Sequence, residues 1–430
     1  MAKAHQQIQD PTQPSPLKLV VIGNGMASIR TLEELLQAAP DAYQITVIGR
    51  EPFGSYNRIM LSPMLAGETT REEIMIHDRP WYEEQGIKLL AGDEYEAILI
   101  DRRHKQVQLR NGDKIDYDRM LIATGADPIR LPVPGSDAEG VLCFRGIRDV
   151  EAMLERSEEG QHAVVIGAGL LGLEAANGLS KRGMKVTVIH RARYPLNRQL
   201  DQEAAQLLQQ ELESRGIEFR LGVNTHSILT KTDAQGLHQV TSLKLDSGEI
   251  LAADMVVMAT GIRPNIELAH NSGIECNKGI LVSDCLQSFD PAIYAVGECV
   301  EHRAVTFGLV EPLFEQARVC ANHLASHGVA SYTYLKPATR LKVSGISLYS
   351  MGDYDLNPKK EGEDIELITL RDPAANIYKK LVITDDRIVG AVLYGDTVDG
   401  PWYHELMRDE QDISRFREGL IFGREPEDAP

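Results

Sequence analysis

Two short apolar runs, Leu17-Lys18-Leu19-Val20-Val21-Ile22 and Ala163-Val164-Val165-Ile166, continue without the polar alternation of a half-exposed strand. Each therefore reads as a parallel strand buried on both faces. Each ends in a glycine-rich turn, Gly23-Asn24-Gly25-Met26-Ala27-Ser28 in the first case and Gly167-Ala168-Gly169-Leu170-Leu171-Gly172 in the second. A helix-like stretch follows each turn, and then a further apolar strand, Gln44–Ile48 or Lys185–Ile189. The first glycine of such a turn permits the sharp bend, and the second lets backbone N–H groups approach a pyrophosphate at the positive end of the helix. A pair of these turns in full strand-turn-helix-strand context predicts an α/β chain with two dinucleotide sites.

The remaining pattern sets the organisation. The stretch Tyr117–Gly125 reads as a buried strand ending in a turn, and Asp127-Pro128 with Pro132-Val133-Pro134-Gly135 punctuates the chain as a crossover between domains does. A second strand-then-Thr-Gly pattern, Ala253–Pro264, closes the second unit; Ile293–Glu298 forms another strand meeting a glycine and an acid, and a helix is expected from Leu313 to about His327. From Ser331 the pattern changes to alternating strands at Arg340–Tyr349, Ile365–Leu370, Tyr378–Ile383 and Ile388–Tyr394. The expected fold is thus two Rossmann-like domains and a small C-terminal α+β domain. Residues 1–16 form a disordered tail, 17–140 with 262–330 a discontinuous first domain, 141–261 the second and 331–430 the third.

Composition narrows the function. The 430 residues are 43% hydrophobic, enough for real cores, and 63 acidic against 45 basic residues give a net charge of −18. No basic cluster interrupts that acidity, which argues against nucleic acid or an anionic membrane surface as partner. No apolar stretch approaches the ~20 residues of a membrane span, and the polar start carries no apolar signal core, so a cytoplasmic protein is expected. Cys143, Cys276, Cys285, Cys299 and Cys320 lie singly, without a Cys-x-x-Cys, and read as buried thiols; no metal site is expected, and His404-Glu405 lacks the second histidine of a zinc helix.

Glu51, just past the second strand, stands where a carboxylate accepts hydrogen bonds from ribose hydroxyls, and Ser28 replaces the third glycine with a residue small enough to keep helix and strand close. Tyr56-Asn57-Arg58 with Leu61-Ser62, Ala123-Thr124-Gly125, Thr260-Gly261-Ile262-Arg263-Pro264 and Tyr294-Ala295-Val296-Gly297-Glu298 occur in the order found in the two-dinucleotide flavoprotein reductases, which the chain resembles from Leu17 to about His327. Within that family, Tyr56–Glu68, Gly297–Arg303 and Leu393–Tyr403 are similar to the flavoprotein part of NAD(P)H-dependent assimilatory nitrite reductases and to the electron-transfer subunits of assimilatory nitrate reductases.

The resemblance implies FAD in the first cradle, with its pyrophosphate on Gly23, Gly25 and the helix that opens at Met26, Ala27 and Ser28, and its adenosine ribose on Glu51. It also implies Arg58 near the diphosphate and flavin, Thr124, Gly125 and Gly297 among the cofactor-binding residues, and Glu298 at the ribityl chain, where the family usually has the shorter aspartate. The second cradle then takes NADH or NADPH, with Gly167, Gly169 and Gly172 at the pyrophosphate, Leu170, Leu171 and Gly261 among the cofactor-binding residues and Glu174 near the nicotinamide. His190, Arg191 and Arg193 stand at the end of its second strand, where an acid selects a free 2′-hydroxyl. Their charge favours a 2′-phosphate, whereas a histidine here is also usual among NADH-using relatives, so the nucleotide stays open.

No side-chain nucleophile is needed for hydride transfer to a flavin, and no cysteine pair is placed for a dithiol relay. The expected activity is an FAD-dependent NAD(P)H oxidoreductase that passes electrons to a separate redox partner, the catalytic component of nitrate or nitrite assimilation. Two alternatives remain: a reductase of a small carrier such as rubredoxin or ferredoxin, and a flavin-binding redox sensor without turnover. Homo-oligomer formation is left open.

Overall fold

The computed structural model describes residues 16–232, 234, 236–334, 338–343, 345–356 and 365–424. The expected tail, apart from Pro16, lies outside the described residues. By their internal contacts the residues divide into two units, one of residues up to Asn57 with Met75–Asp127 and Arg263–Tyr334, the other of Arg58–Ile74, Pro128–Ile262 and the C-terminal part from Leu335. The segment 58–74, expected in the first domain, thus makes its contacts within the second unit.

The first unit is built on a five-stranded parallel sheet in the order Ile293–Ala295, Arg119–Ile122, Leu17–Ile22, Tyr43–Gly49, Lys88–Ala91. Its central strand is buried from Leu19 to Ile22, as an unalternated apolar run between two covered faces requires. The helices Met26–Ala38 and Val310–Leu324 pack on each other in this unit. The second helix starts and stops three residues earlier than its apolar pattern predicts; Ala325 is its C-cap, and Ser326 then takes a left-handed backbone. A three-stranded antiparallel meander, Ala97–Asp101, Gln106–Leu109 and Lys114–Asp116, is inserted before the fourth strand in chain order.

The second unit repeats the plan. Its parallel sheet runs Val141–Cys143, Met255–Met258, His162–Ile166, Lys185–His190, Ile217–Leu221, and another antiparallel meander, Thr225–Thr232, His238–Leu245 and Ile250–Ala252, precedes the strand that closes it. The helix Leu170–Lys181 rests on this sheet, and the short helix Leu61–Ala66 seats Leu65 against Gly178, where an added Cβ would come within 2.8 Å of Leu65 Cγ.

The same unit carries a five-stranded antiparallel sheet in the order Thr339–Val343, Ile346–Gly352, Arg387–Tyr394, Ile377–Thr384, Ile365–Asp372. The run Arg340–Tyr349, read from sequence as one strand, is two strands turned at Gly345, whose φ of +85° a glycine adopts without strain. The two central strands are buried on both faces, which their alternation did not suggest. Helix Gly400–Arg408 covers one face with Tyr403 and Leu406, and Tyr403 donates its hydroxyl to the Leu420 carbonyl at 2.7 Å.

Two lysines in the strand Ile377–Thr384 are buried by neutralisation. Lys379 meets Asp396 at 2.7 Å and Asp399 at 3.3 Å, and Lys380 meets Asp201 at 3.2 Å. Asp201 also caps the helix Gln202–Ser214 through the Ala204 N–H at 3.0 Å and accepts from the Tyr378 hydroxyl at 2.7 Å. Removing this carboxylate leaves a buried cation, a hydroxyl and a helix end without their partner. Asp201→Ala is therefore expected to lower stability by about 3–5 kcal/mol in urea unfolding, against about 1 kcal/mol for Tyr378→Phe.

Candidate functional site

Each parallel sheet presents a glycine turn at the end of its central strand, and each turn is shaped by a close backbone approach. Gly23 has φ +108°, and a Cβ on it would lie 2.1 Å from the carbonyl oxygen of Ala123. Gly167 has φ +115°, and its Cβ would lie 2.3 Å from the oxygen of Ala259. The two Ala-Thr-Gly turns are thus the walls against which the first glycines lie. Thr124 donates its hydroxyl to the Asn265 carbonyl at 2.7 Å, and Thr260 donates to that of Ile129 at 2.6 Å. Gly125 and Gly261 take φ of +70° and +120°.

The second glycines differ in kind. Gly25 and Gly169 cap the helices Met26–Ala38 and Leu170–Lys181 in extended conformation, with φ −92° and −82°, and nothing lies within 4 Å of a Cβ built on either. Neither backbone angle nor any neighbour demands glycine there. No side chain caps either helix, and no acid stands in either first turn. Helix-terminal N–H groups beside open space, at the positive end of the helix dipole, form a cradle for an anion. Both cradles therefore fit the diphosphate of a dinucleotide. The third positions act inside the fold: a Cβ on Gly172 would lie 1.8 Å from the Gly167 oxygen, while the fully buried Ser28 turns its hydroxyl back to the Gly25 carbonyl at 2.9 Å.

Around the first cradle, both carboxylate oxygens of Glu51 accept from the Tyr56 hydroxyl, at 2.9 and 3.1 Å, which sets the carboxylate's orientation at the end of the strand Tyr43–Gly49. Asn24, inside the turn, accepts from the Tyr82 hydroxyl at 2.8 Å. Met26 is half-buried and Ala27 buried; a Cβ on Gly297 would lie 3.2 Å from that of Ala27, which puts the Gly297-Glu298 turn beside the cradle helix. The Gly297 N–H is held by the side-chain oxygen of the fully buried Gln316 at 2.8 Å. Glu298 is half-buried. Arg58 belongs to the other unit, where its guanidinium donates to the Arg145 carbonyl at 2.8 Å.

In the second cradle Leu170 is half-buried and Leu171 exposed, so the outer rim of the turn is apolar. His190 closes its floor. The Ala168 N–H donates to His190 Nδ1 at 3.3 Å, and Nε2 faces the side-chain oxygen of Asn197 at 3.1 Å. An N–H donor on one nitrogen and an oxygen on the other assign the proton to Nε2. Burial holds the imidazole below its ordinary pKa; the Asn197 contact opposes this and the charge of Arg191 adds to it. Arg191 is exposed. Glu174, one turn into the helix, accepts from the Ser62 hydroxyl, and burial raises its pKa against that hydrogen bond.

Tyr56 stands in the Tyr56-Asn57-Arg58 motif, but its bond to Glu51 was not read; Gln316, Tyr82 and Asn197 were not singled out by sequence reasoning. Each of these three is a lone polar residue whose role depends on a partner brought to it by the fold, and no local motif marks it. Among the described residues there is no group of three or more His, Cys, Asp or Glu side chains suited to a metal, and no helix is long and apolar enough to cross a membrane.

With this geometry in hand, comparison with known proteins decides the family. The family model described as pyridine nucleotide-disulphide oxidoreductase matches residues 17–323. The chain belongs to that family. Its members use FAD and NAD(P)H, and this chain is an oxidoreductase of that kind. A second model, the rubredoxin NAD+ reductase C-terminal domain, matches residues 337–411. The chain is 45% identical over 398 residues to a nitrite reductase [NAD(P)H] of Bacillus subtilis, covering 92% of this chain and 48% of that protein. It is 42% identical over 410 residues to the assimilatory nitrate reductase electron transfer subunit of the same organism, covering 95% and 51%. It thus spans about half the length of these curated relatives. Among solved structures it is similar to a ferredoxin reductase for the CYP199A2 system from Rhodopseudomonas palustris, with TM-score 0.81 and 26% identity, covering 92% of this chain and 95% of that one.

Two substitutions test the site. Gly25→Val fills the open side of the first cradle without striking the fold, so the variant is expected to keep its circular dichroism and lose at most about 1 kcal/mol of stability while purifying without flavin; flavin retained at full occupancy contradicts the cradle. Glu174 tests the burial of the second. A carboxyl whose pKa is higher folded than unfolded binds more protons in the native state, so its contribution to stability falls as pH rises towards the folded-state value. Glu174→Gln is therefore expected to raise the thermal midpoint at about pH 8, with the difference from the native protein shrinking towards about pH 4.

Proposed function

We propose that the chain takes reducing equivalents from NAD(P)H into an FAD held by the first cradle and delivers electrons to a separate redox protein of nitrate or nitrite assimilation. FAD, when bound, supplies the capacity to accept two electrons as hydride and release them singly. The chain supplies the holding. Gly23, Gly25 and the N–H groups from Met26 to Ser28 take the FAD diphosphate, Glu51 fixed by Tyr56 takes the adenosine ribose, and Gly297 fixed by Gln316 lines the cradle's far side. Gly167, Gly169 and the N–H groups of Leu170 to Gly172 hold the nicotinamide dinucleotide, on a turn whose floor is the neutral His190.

The observation that carries an external acceptor is the state of the thiols. All five cysteines are free, and burial raises the pKa of Cys143, Cys276, Cys299 and Cys320, Cys276 to about 11. Thiols held protonated by burial are poor relays, no two of the five are spaced as a Cys-x-x-Cys pair, and Ser62, beside Glu174, has no thiol to offer. Electrons therefore pass to an acceptor other than these thiols. The nitrate and nitrite relatives support the acceptor named here. The rubredoxin-reductase model over residues 337–411 and the near-complete coverage of the ferredoxin reductase favour a second reading, a small iron–sulfur carrier as acceptor.

Anaerobic stopped-flow separates the two. The protein reduced by NADH or NADPH is expected to reoxidise rapidly on mixing with the catalytic component of a nitrate or nitrite reductase and slowly with rubredoxin or ferredoxin. The opposite order supports the carrier reading, and failure of both nucleotides to bleach the flavin leaves a binding module and overturns the proposal.

A further inference from the structure

The strand Lys185–His190 ends level with the second glycine turn, since Ile189 pairs with Ile166 and the Gly167 N–H donates to the Ile189 carbonyl at 2.8 Å. The residues that follow are fastened to that turn. Ala168 gives its N–H to His190 and receives at its carbonyl the N–H of Leu196, at 2.9 Å. His190 in turn meets Asn197. On the far side, the N–H groups of Gly222 and Val223 hold the carbonyls of Ala192 and His190 at 2.9 and 3.0 Å. Leu196 is buried and in the left-handed region at φ +50°, a conformation that persists where the surroundings over-determine it. Residues 191–200 are thus a fixed rim to the cradle.

The chemistry of that rim is one-sided. Arg191, Arg193 and Arg198 are exposed, and among the described residues none of the three makes an ion pair or a hydrogen bond, in a chain with 63 acidic and 45 basic residues. No carboxylate lies between His190 and Leu200. The first acid after the strand, Asp201, is committed to Tyr378, Lys380 and the helix cap. His190, where a carboxylate would accept from a free ribose 2′-hydroxyl, is held neutral and spends both nitrogens on the fold. A rim that has cations and lacks an acceptor matches a phosphate ester better than a hydroxyl, because a guanidinium binds a phosphate bidentately through charge-assisted hydrogen bonds.

We infer that the second cradle selects NADPH over NADH, with Arg191 and Arg193 receiving the 2′-phosphate and Arg198 adding to the local positive potential. This rests on the reading of that cradle as the NAD(P)H site. The flavin-loaded protein is titrated by calorimetry with 2′,5′-ADP and with 5′-ADP, which differ only in the phosphate concerned. The native protein is expected to bind 2′,5′-ADP at least about tenfold tighter, a gap of about 1.4 kcal/mol that narrows as salt rises. Arg191→Ala with Arg193→Ala is expected to reduce the gap to within about twofold, and Arg191→Lys to restore part of it. The flavin spectrum of each variant reports that it has folded. Equal binding of the two ligands by the native protein, or an undiminished gap in the double variant, overturns the inference alone. Binding of neither ligand by a protein that retains its flavin overturns the cradle reading and this inference with it.

Discussion

One close backbone contact, made once in each unit, governs the rest: the first glycine of the turn lies against a carbonyl of the Ala-Thr-Gly turn, Gly23 on Ala123 and Gly167 on Ala259. With no room for a Cβ at either place, the central strand bends sharply into its helix and leaves the helix N-terminus uncovered at the end of the sheet. The parallel register of the strands makes this geometry repeatable. Leu17–Ile22 and His162–Ile166 each lie between two parallel neighbours whose ends come level with the turn. The second glycine then has no structural duty, and the space beside it belongs to whatever anion the cradle takes.

The two cradles keep that backbone in place by different polar devices. In the first unit, fully buried Gln316 holds the Gly297 N–H, and Tyr56 fixes Glu51. In the second, a neutral histidine takes the N–H of the turn itself and an asparagine fixes its tautomer. A charged imidazole would have no lone pair for Ala168, so the burial that disfavours protonation of His190 also preserves the turn. The contrast in charge follows, with a carboxylate, Glu51, at the end of the corresponding strand of the first unit and arginines in the second.

Both sheets were legible because unalternated β-branched runs and glycine spacing are local signals, sufficient to place strands Leu17–Ile22, Lys185–His190 and Met255–Met258. The antiparallel meanders were not read. Ile98, Leu99, Leu237 and Ile250 are exposed, so their apolar residues follow no clean inside-outside pattern. The two-sided burial of the strand Ile377–Thr384 was hidden by Lys379 and Lys380, which look like solvent-facing residues until Asp201, Asp396 and Asp399 are brought to them from elsewhere in the chain. The glycine positions were readable in place. Gln316, Tyr82 and Asn197 were not, because a hydrogen-bond partner supplied by the fold leaves no periodicity behind.

On the function proposed above, the uncovered helix N-terminus at Gly25 holds FAD. Quantifying the flavin released by denaturing the purified native protein, with chromatography to separate FAD from FMN, tests it most directly. FAD in a one-to-one ratio with the chain is expected; FMN in its place, or a protein that holds no flavin even after incubation with excess FAD, rules out that occupant.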